Sequence, residues 1–218
     1  MRNILITNDD GIDAPSLWAL ADRLREIGCV TVVAPRDPRS ASGHAISLYR
    51  KIAVNRMNAD GRGEAYAVDG TPADAVKFAL SEIFKSEKVD LIVSGINLGP
   101  NAGVSVYYSG TIAAAREAVI AGVPAFAISL AAFSWDDFSY GTDLAKRVAS
   151  QYLARELPPD CFLNINIPGV PANEIAGIRV TRQAPSRFVE EFERAGDNEG
   201  CDYWLKGKMI VLDSDGRT

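Results

Sequence analysis

Histidine is almost missing: His44 is the only one in 218 residues. Chemistry that needs several imidazoles is therefore excluded, including histidine phosphatases and multi-histidine binuclear metallophosphatases. Cysteine is scarce too. Cys29, Cys161 and Cys201 form no C-x-x-C pair. Neither a disulfide framework nor a zinc site is expected, and the three read as buried reduced thiols. No apolar run approaches the roughly 20 residues that a membrane span needs. The N-terminus enters a strand at once, without a basic stretch and an apolar stretch before it, so no signal peptide is expected. Cytoplasmic placement is the default. There is no basic stripe either: 23 Lys and Arg are dispersed among 28 Asp and Glu, for a net charge of −5. That is not the footprint of a binder of nucleic-acid polymers.

Several phosphate and nucleophile signatures are absent as well. A dinucleotide fold carries G-x-G-x-x-G after its first strand. Here the equivalent turn reads N-D-D-G-I-D (8–13), and its carboxylates would repel a pyrophosphate. The G-x-x-x-x-G-K-S/T phosphate loop is missing, and so is the G-x-S-x-G elbow that presents a nucleophilic serine.

What is present is a regular alternation. At 47% hydrophobic residues, the chain suits one globular domain, alone or with an extension. NILIT (3–7), CVTVVAP (29–35), VDLIVSG (89–95), PAFAISL (124–130) and CFLNINIP (161–168) read as strands. KIAV (51–54) and EAYAV (64–68) are weaker candidates on either side of the turn-rich MNADGRG. Leu17, Leu20, Leu24 and Ile27 recur at helical spacing over 14–27, with Pro15 suited to the first turn and Gly28 to the end. Further helices are expected from Thr71 to about Phe84, over 111–121 and over 142–156, with a long Gly- and Asn-rich loop at 96–110. Continuous Val/Ile/Leu strands joined by helices imply an α/β fold: a doubly wound, mostly parallel, Rossmann-like sheet covered on both faces.

After Pro168 the texture changes. IRVTRQA (178–184) and KMIVLD (208–213) look like strands around a charged segment holding Phe188, Phe192, Tyr203 and Trp204. The expected organisation is a catalytic domain over 1–170 and a C-terminal extension, a hairpin arm, over 171–218. Aromatic side chains on such an arm fit a subunit contact. An arm folded back on its own core fits equally well.

In an open parallel sheet, ligands bind beyond the carboxyl ends of the strands, where strand order reverses. The loops to search are NDDG (8–11), RDPRSASGH (36–44) and SGINLGPNAG (94–103). Asp9 and Asp10 stand side by side, which is tolerable if a divalent cation lies between them. Asp, Asn, Ser and Thr oxygens form a hard ligand set, suited to Mg²⁺, Mn²⁺ or Ca²⁺. Neighbouring strand residues point to opposite faces, so both carboxylates can meet one ion only if the chain leaves strand geometry; Gly11 allows that. Ser40 or Ser42 and Asn97 or Asn101 could supply further oxygens. For Asp13, capping of the 14–27 helix is the better account. Ser109, Gly110 and Thr111 open a helix and offer an anion its free N–H groups and hydroxyls, although an ordinary serine cap explains the same residues. His44 could bind phosphate, protonate a leaving oxygen, or lie idle on the surface. A cation site and an anion site at one sheet edge suggest phosphoryl chemistry.

Five stretches together resemble the SurE family, the survival-protein 5′-nucleotidases: ILITNDDGIDAPS (4–16), VVAPRDPRSASGH (32–44), VDGTPADAV (68–76), DLIVSGINLGPNAG (90–103) and YSGTIAAAREA (108–118). The resemblance implies a metal-dependent phosphatase acting on nucleoside monophosphates, both 5′ and 3′, and in some members on polyphosphate ends. It implies one divalent cation per subunit, Mg²⁺ or Mn²⁺, on Asp9, Asp10, Ser40 and Asn97. Asp9 and Asp10 are also the candidate catalytic groups. Phosphate contacts are expected from Ser42, Gly43, His44, Asn101, Ser109, Gly110 and Thr111, with Tyr107 and Tyr108 available to stack on the base. The family often has threonine where Ser42 stands and cysteine where Ala75 stands. Its members usually run on past the end of this sequence. They assemble through the C-terminal half, so a homodimer or homotetramer is implied.

Overall fold

The computed structural model describes residues 1–58, 61, 63–154, 160–196 and 202–212. In chain order the elements are β1 (Asn3–Thr7), α1 (Pro15–Leu24), β2 (Cys29–Pro35), β3 (Val54–Asn58), β4 (Glu64–Val68) and α2 (Pro72–Phe78). There follow β5 (Leu91–Leu98), α3 (Ser105–Tyr108), α4 (Gly110–Ile120), β6 (Ala125–Ala131), α5 (Ser139–Leu153), β7 (Leu163–Pro168), β8 (Ser186–Arg194) and β9 (Tyr203–Val211). A π-helical turn, Ala79–Ile83, continues α2, and a 3₁₀ turn, Ala172–Glu174, follows β7.

Seven strands form one sheet in the order β3-β4-β2-β1-β5-β6-β7, parallel except for β3, which runs antiparallel to β4. The chain winds from β1 outward through β2 and then returns to β1's other side with β5. The order therefore reverses between β1 and β5, and the crevice above that pair is where such folds bind ligands.

Alternation within each strand divides the core. Ile4 and Ile6 join Leu17, Leu20 and Leu24 of α1 and Leu144 and Ala145 of α5 on one face. Leu5 and Ile92 join Val76 of α2 and Ile112 and Ala115 of α4 on the other. Both faces are buried, so the strands read as unbroken apolar runs rather than alternating ones.

Several sequence expectations need correction. The edge strand is Val54–Asn58, not 51–54. Its pairing with β4 carries the strand into the turn-rich stretch, where composition argued against it. β5 extends to Leu98, because Asn97 and Leu98 pair with Ser129 and Leu130 of β6 after a register shift. A single helical turn, α3, lies inside the expected loop. Residues 178–184 are not a strand. The run has β-branched residues but pairs with no strand among the described residues; Ile178 and Val180 are exposed. The hairpin is instead β8 with β9, an antiparallel pair. Cys29 and Cys161 are exposed rather than buried. Cys29 is the first residue of β2, and Cys161 lies before β7, each at a strand end short of the core. Cys201, residues 155–156 of the expected last helix and residue 213 of the last strand lie outside the described residues. Among the described residues, no helix is long and apolar enough to cross a membrane.

Candidate active site

At the end of β1 the chain leaves strand geometry abruptly. The buried Asn8 side chain closes the turn: its Nδ2 donates to the Gly11 carbonyl (2.9 Å), and its Oδ1 accepts from the Gly11 N–H (3.2 Å). Gly11 takes φ +99°, a left-handed conformation that a side chain would oppose. This turn directs the two carboxylates to different neighbours. Asp9 turns to the start of α4, where the Thr111 hydroxyl donates to its Oδ1, and the Gly110 and Thr111 amides add support. Asp10 turns to β5, and its Oδ2 accepts the Leu98 N–H at 3.3 Å. The pair therefore straddles the β1–β5 crevice.

Burial pushes the Asp9 carboxyl above its usual range, against the hydrogen bonds from Thr111 and Gly110. Asp10 is pushed up to about 6, first by burial and then by the charge of Asp9, while the Leu98 N–H opposes the rise. Among the described residues no lysine, arginine or histidine pairs with either carboxylate. Two adjacent like-charged groups, Asp9 buried and Asp10 half-buried, without a protein cation among the described residues leave a charge deficit that a bound cation would fill. No three His, Cys, Asp or Glu side chains converge among the described residues. Donors beyond the two carboxylates would be neutral oxygens, and these suit a hard divalent ion. The residues present fit such an ion.

The 36–47 loop is drawn over this turn. The Arg39 N–H donates to the Asp9 carbonyl (2.7 Å), which brings Ser40, the next residue, to the turn that follows β1. Ser42 Oγ is buried and has no hydrogen-bond partner among the described residues. The Gly43 N–H donates to the Tyr108 carbonyl (2.8 Å). On the β5 side, Asn97 Nδ2 donates to the Gly99 carbonyl (2.7 Å), and its Oδ1 has no hydrogen-bond partner among the described residues.

Asn101 is anchored rather than loose. Its Nδ2 donates to Ser129 Oγ (2.8 Å), its N–H to Asn166 Oδ1 (2.8 Å), and its carbonyl accepts from Asn164 Nδ2 (2.8 Å) and Asn166 Nδ2 (3.1 Å). Ser109 is the N-cap of α4, its Oγ accepting the Ile112 N–H at 3.1 Å, so the hydroxyl proton stays available to an anion. Asp13 does not cap α1. The N-cap is Ala14 without a side-chain bond, and Asp13 is exposed. Pro15 opens the helix and has no N–H, which removes one donor a cap would have satisfied.

Three contributors, Glu117, Lys77 and Asp74, were not among the candidate site residues, although Asp74 lies in VDGTPADAV and Glu117 in YSGTIAAAREA. Glu117 Oε2 lies 2.8 Å from His44 Nε2, and its Oε1 lies 2.7 Å from Lys77 Nζ. Asp74 forms a capping box with Thr71 and also accepts the Ser47 N–H (2.9 Å) and hydroxyl (2.8 Å). Burial pushes the Asp74 carboxyl up, but the bonds from Thr71 and Ser47 outweigh it and hold it below the usual range. The available signal for Glu117 was a carboxylate in TIAAAREA, on a helix whose other buried residues are nearly all apolar or small.

The model of the family described as survival protein SurE matches residues 4–190. The chain belongs to the SurE family. It is 44% identical over 214 residues to a 5′-nucleotidase SurE of Chlorobium chlorochromatii (strain CaD3), covering 98% of this chain and 78% of that protein. The 5′-nucleotidase SurE of Moorella thermoacetica is also 44% identical over 214 residues, covering 97% and 82%. Among solved structures, the SurE protein of Aquifex aeolicus superposes with a TM-score of 0.82 at 33% identity, covering 99% of this chain and 86% of that one. The SurE fold accordingly includes the hairpin as well as the sheet.

Proposed function

We propose that this SurE chain is a 5′-nucleotidase that hydrolyses nucleoside monophosphates to nucleoside and phosphate, using one Mg²⁺ or Mn²⁺ ion per subunit. The observation that carries this reading is the pair of buried Asp9 and half-buried Asp10 at the switch point, which lacks a protein cation among the described residues. Asp9, Asp10, Ser40 and Asn97 would hold the ion, which when bound supplies Lewis-acid polarisation of the phosphate oxygens. Ser42, Gly43, His44, Ser109, Gly110 and Thr111 cradle the phosphate and its developing charge, and Asn101 sets the loop beside them. Gly110 and Thr111 act partly through Asp9, whose carboxylate occupies their amides.

Asp10 is the better proton acceptor for the attacking water. Asp9 is held by the Thr111 hydroxyl and by helix amides, whereas Asp10 accepts only the Leu98 N–H among the described residues.

Tyr107 and Tyr108 stand exposed beside Ser109 and offer a platform to the base. Such an open platform leaves recognition centred on phosphate, and for that reason 3′-nucleotides and polyphosphate ends are included among the proposed substrates. A double Tyr107→Ala, Tyr108→Ala variant should raise KM for AMP by roughly tenfold, since one stacked base contributes about 1–3 kcal/mol. KM for ribose 5-phosphate should not move. Steady-state kinetics on both substrates checks this.

The projecting β8–β9 hairpin exposes Phe192, Tyr203, Trp204 and Leu205. These side chains support assembly into a homodimer or homotetramer.

Phosphate release from AMP and GMP tests the proposal. Turnover should require Mg²⁺ or Mn²⁺, stop with EDTA, and return when the cation is added in excess. Release from no nucleotide with any divalent ion would overturn it in favour of a nucleotide-binding module without turnover.

A further inference from the structure

We propose that Glu117 is a positioning residue for the hydrolysis: it orients the ring of His44 so that Nδ1 delivers a proton to the departing nucleoside oxygen. This rests on the nucleotidase reading of the site.

Glu117 is 5% exposed and sits on the buried side of α4 among alanines and Ile112. A carboxylate is costly there unless it is paired. Lys77, on α2, already supplies a charge partner at Oε1 (2.7 Å). The second oxygen is nonetheless spent on His44 Nε2 (2.8 Å). An imidazole nitrogen facing a carboxylate must carry its hydrogen, so the tautomer is fixed and Nδ1 is the nitrogen left to exchange a proton. Nδ1 has no partner among the described residues.

The backbone around His44 is pinned on both sides. The Gly43 N–H is bound to the Tyr108 carbonyl (2.8 Å), and the Ala45 carbonyl accepts the Thr71 hydroxyl (2.7 Å). His44 thus follows the phosphate-loop residues Ser42 and Gly43 directly, with little freedom to leave. A nucleophile or acid held by one group that is itself held by another is the general form of an oriented catalytic pair.

The water oxygen forms a bond to phosphorus, and one of its protons passes to the acceptor in the site. The phosphorus–O5′ bond breaks, and its electron pair stays on O5′. The Nδ1 proton moves to O5′, giving the nucleoside and hydrogen phosphate. Solvent then returns a proton to His44 and takes one from the acceptor.

Leaving-group dependence tests this. AMP releases an alkoxide that needs a proton, whereas 4-nitrophenyl phosphate releases a phenolate that does not. Glu117→Gln should lower kcat for AMP by about 10²-fold, the lower end for general acid catalysis, while kcat for 4-nitrophenyl phosphate changes less than about threefold. His44→Gln should show the same split, and the double variant should lose no more than the worse single one. The His44 variant lies in a loop and keeps the test available if Glu117→Gln does not fold. Equal losses on both substrates would mean that Glu117 only braces the loop, and an unchanged kcat for AMP would remove its role altogether; either result overturns the proposal. Asp10→Asn separates this from the underlying reading. It should abolish turnover of both substrates, and if it does not, the site assignment falls rather than the role of Glu117.

Discussion

Asp10→Asn should lower kcat for AMP by about 10³-fold or more, and at pH 8 the metal-free variant should be more stable than the metal-free parent. Activity should fall because both proposed roles, cation ligand and acceptor of the water's proton, rest on this one side chain. Stability rises for an electrostatic reason. Burial and the neighbouring Asp9 charge lift Asp10 from 3.8 to about 6. A carboxyl whose folded pKa exceeds its unfolded value favours the folded state while protonated. That contribution is fully present below pH 3.8 and is lost as pH rises through about 6. At pH 8 the metal-free parent therefore carries an unfavourable ionised carboxylate that asparagine lacks. Asp10 is only partly buried, so solvent screening reduces the gain to roughly 1 kcal/mol. Urea unfolding of EDTA-treated protein at pH 4 and pH 8 measures it. The variant should gain at pH 8 and show little difference at pH 4. Added Mn²⁺ should stabilise the parent by mass action and leave the variant nearly unmoved. A variant less stable than the parent at pH 8 would mean that ionised Asp10 is held by a favourable partner, contrary to the charge deficit described here.

The sheet was legible because its strands bury both faces. Ile4 to Ile6 and Leu91 to Val93 leave no polar residue that could suggest a helix or an edge. The two carboxylates were legible because charge repulsion at a core strand's end requires an explanation. Contacts that depend on distant pairing were harder to read. Residues 55–58 become strand because β4 lies beside them, whereas 178–184 pair with no strand among the described residues. Asp13 carried the composition of a cap, but the helix begins at Pro15 with Ala14 as its N-cap, which leaves Asp13 one residue too early. The supports of the phosphate loop were invisible for the same reason. His44 meets Glu117 across 73 positions, and Ser47 meets Asp74 across 27. A single sequence gives no spacing rule for such encounters.

Gly110→Ala should destabilise the protein by about 1–3 kcal/mol, as overpacking does, and lower kcat for AMP by about 10²-fold. Helix propensity alone predicts the opposite sign, since alanine exceeds glycine by about 1 kcal/mol in a helix interior. The decisive fact is what a Cβ would meet at that position: Asp9 Cβ at 2.8 Å, Pro72 Cγ at 2.9 Å and Asp9 Oδ2 at 3.0 Å. A carbon next to a backbone and a proline ring cannot swing aside as the tip of a long side chain can. The start of α4 must then back away from β1, carrying Ser109 and Thr111 with it. Thr111 would lose its grip on Asp9, and misplacement of about 1 Å can cost 10²-fold in rate. Gly141→Ala is the matched control, because its Cβ would meet the flexible end of Ile96 (Cδ1 at 3.1 Å) and nothing at the site. That variant should keep its activity. The contrast isolates contact at α4 from any general effect of removing a glycine. If Gly110→Ala turns over AMP like the parent, close approach of α4 to Asp9 does not set the geometry of the site, and Asp9 must be oriented by the β1 turn alone.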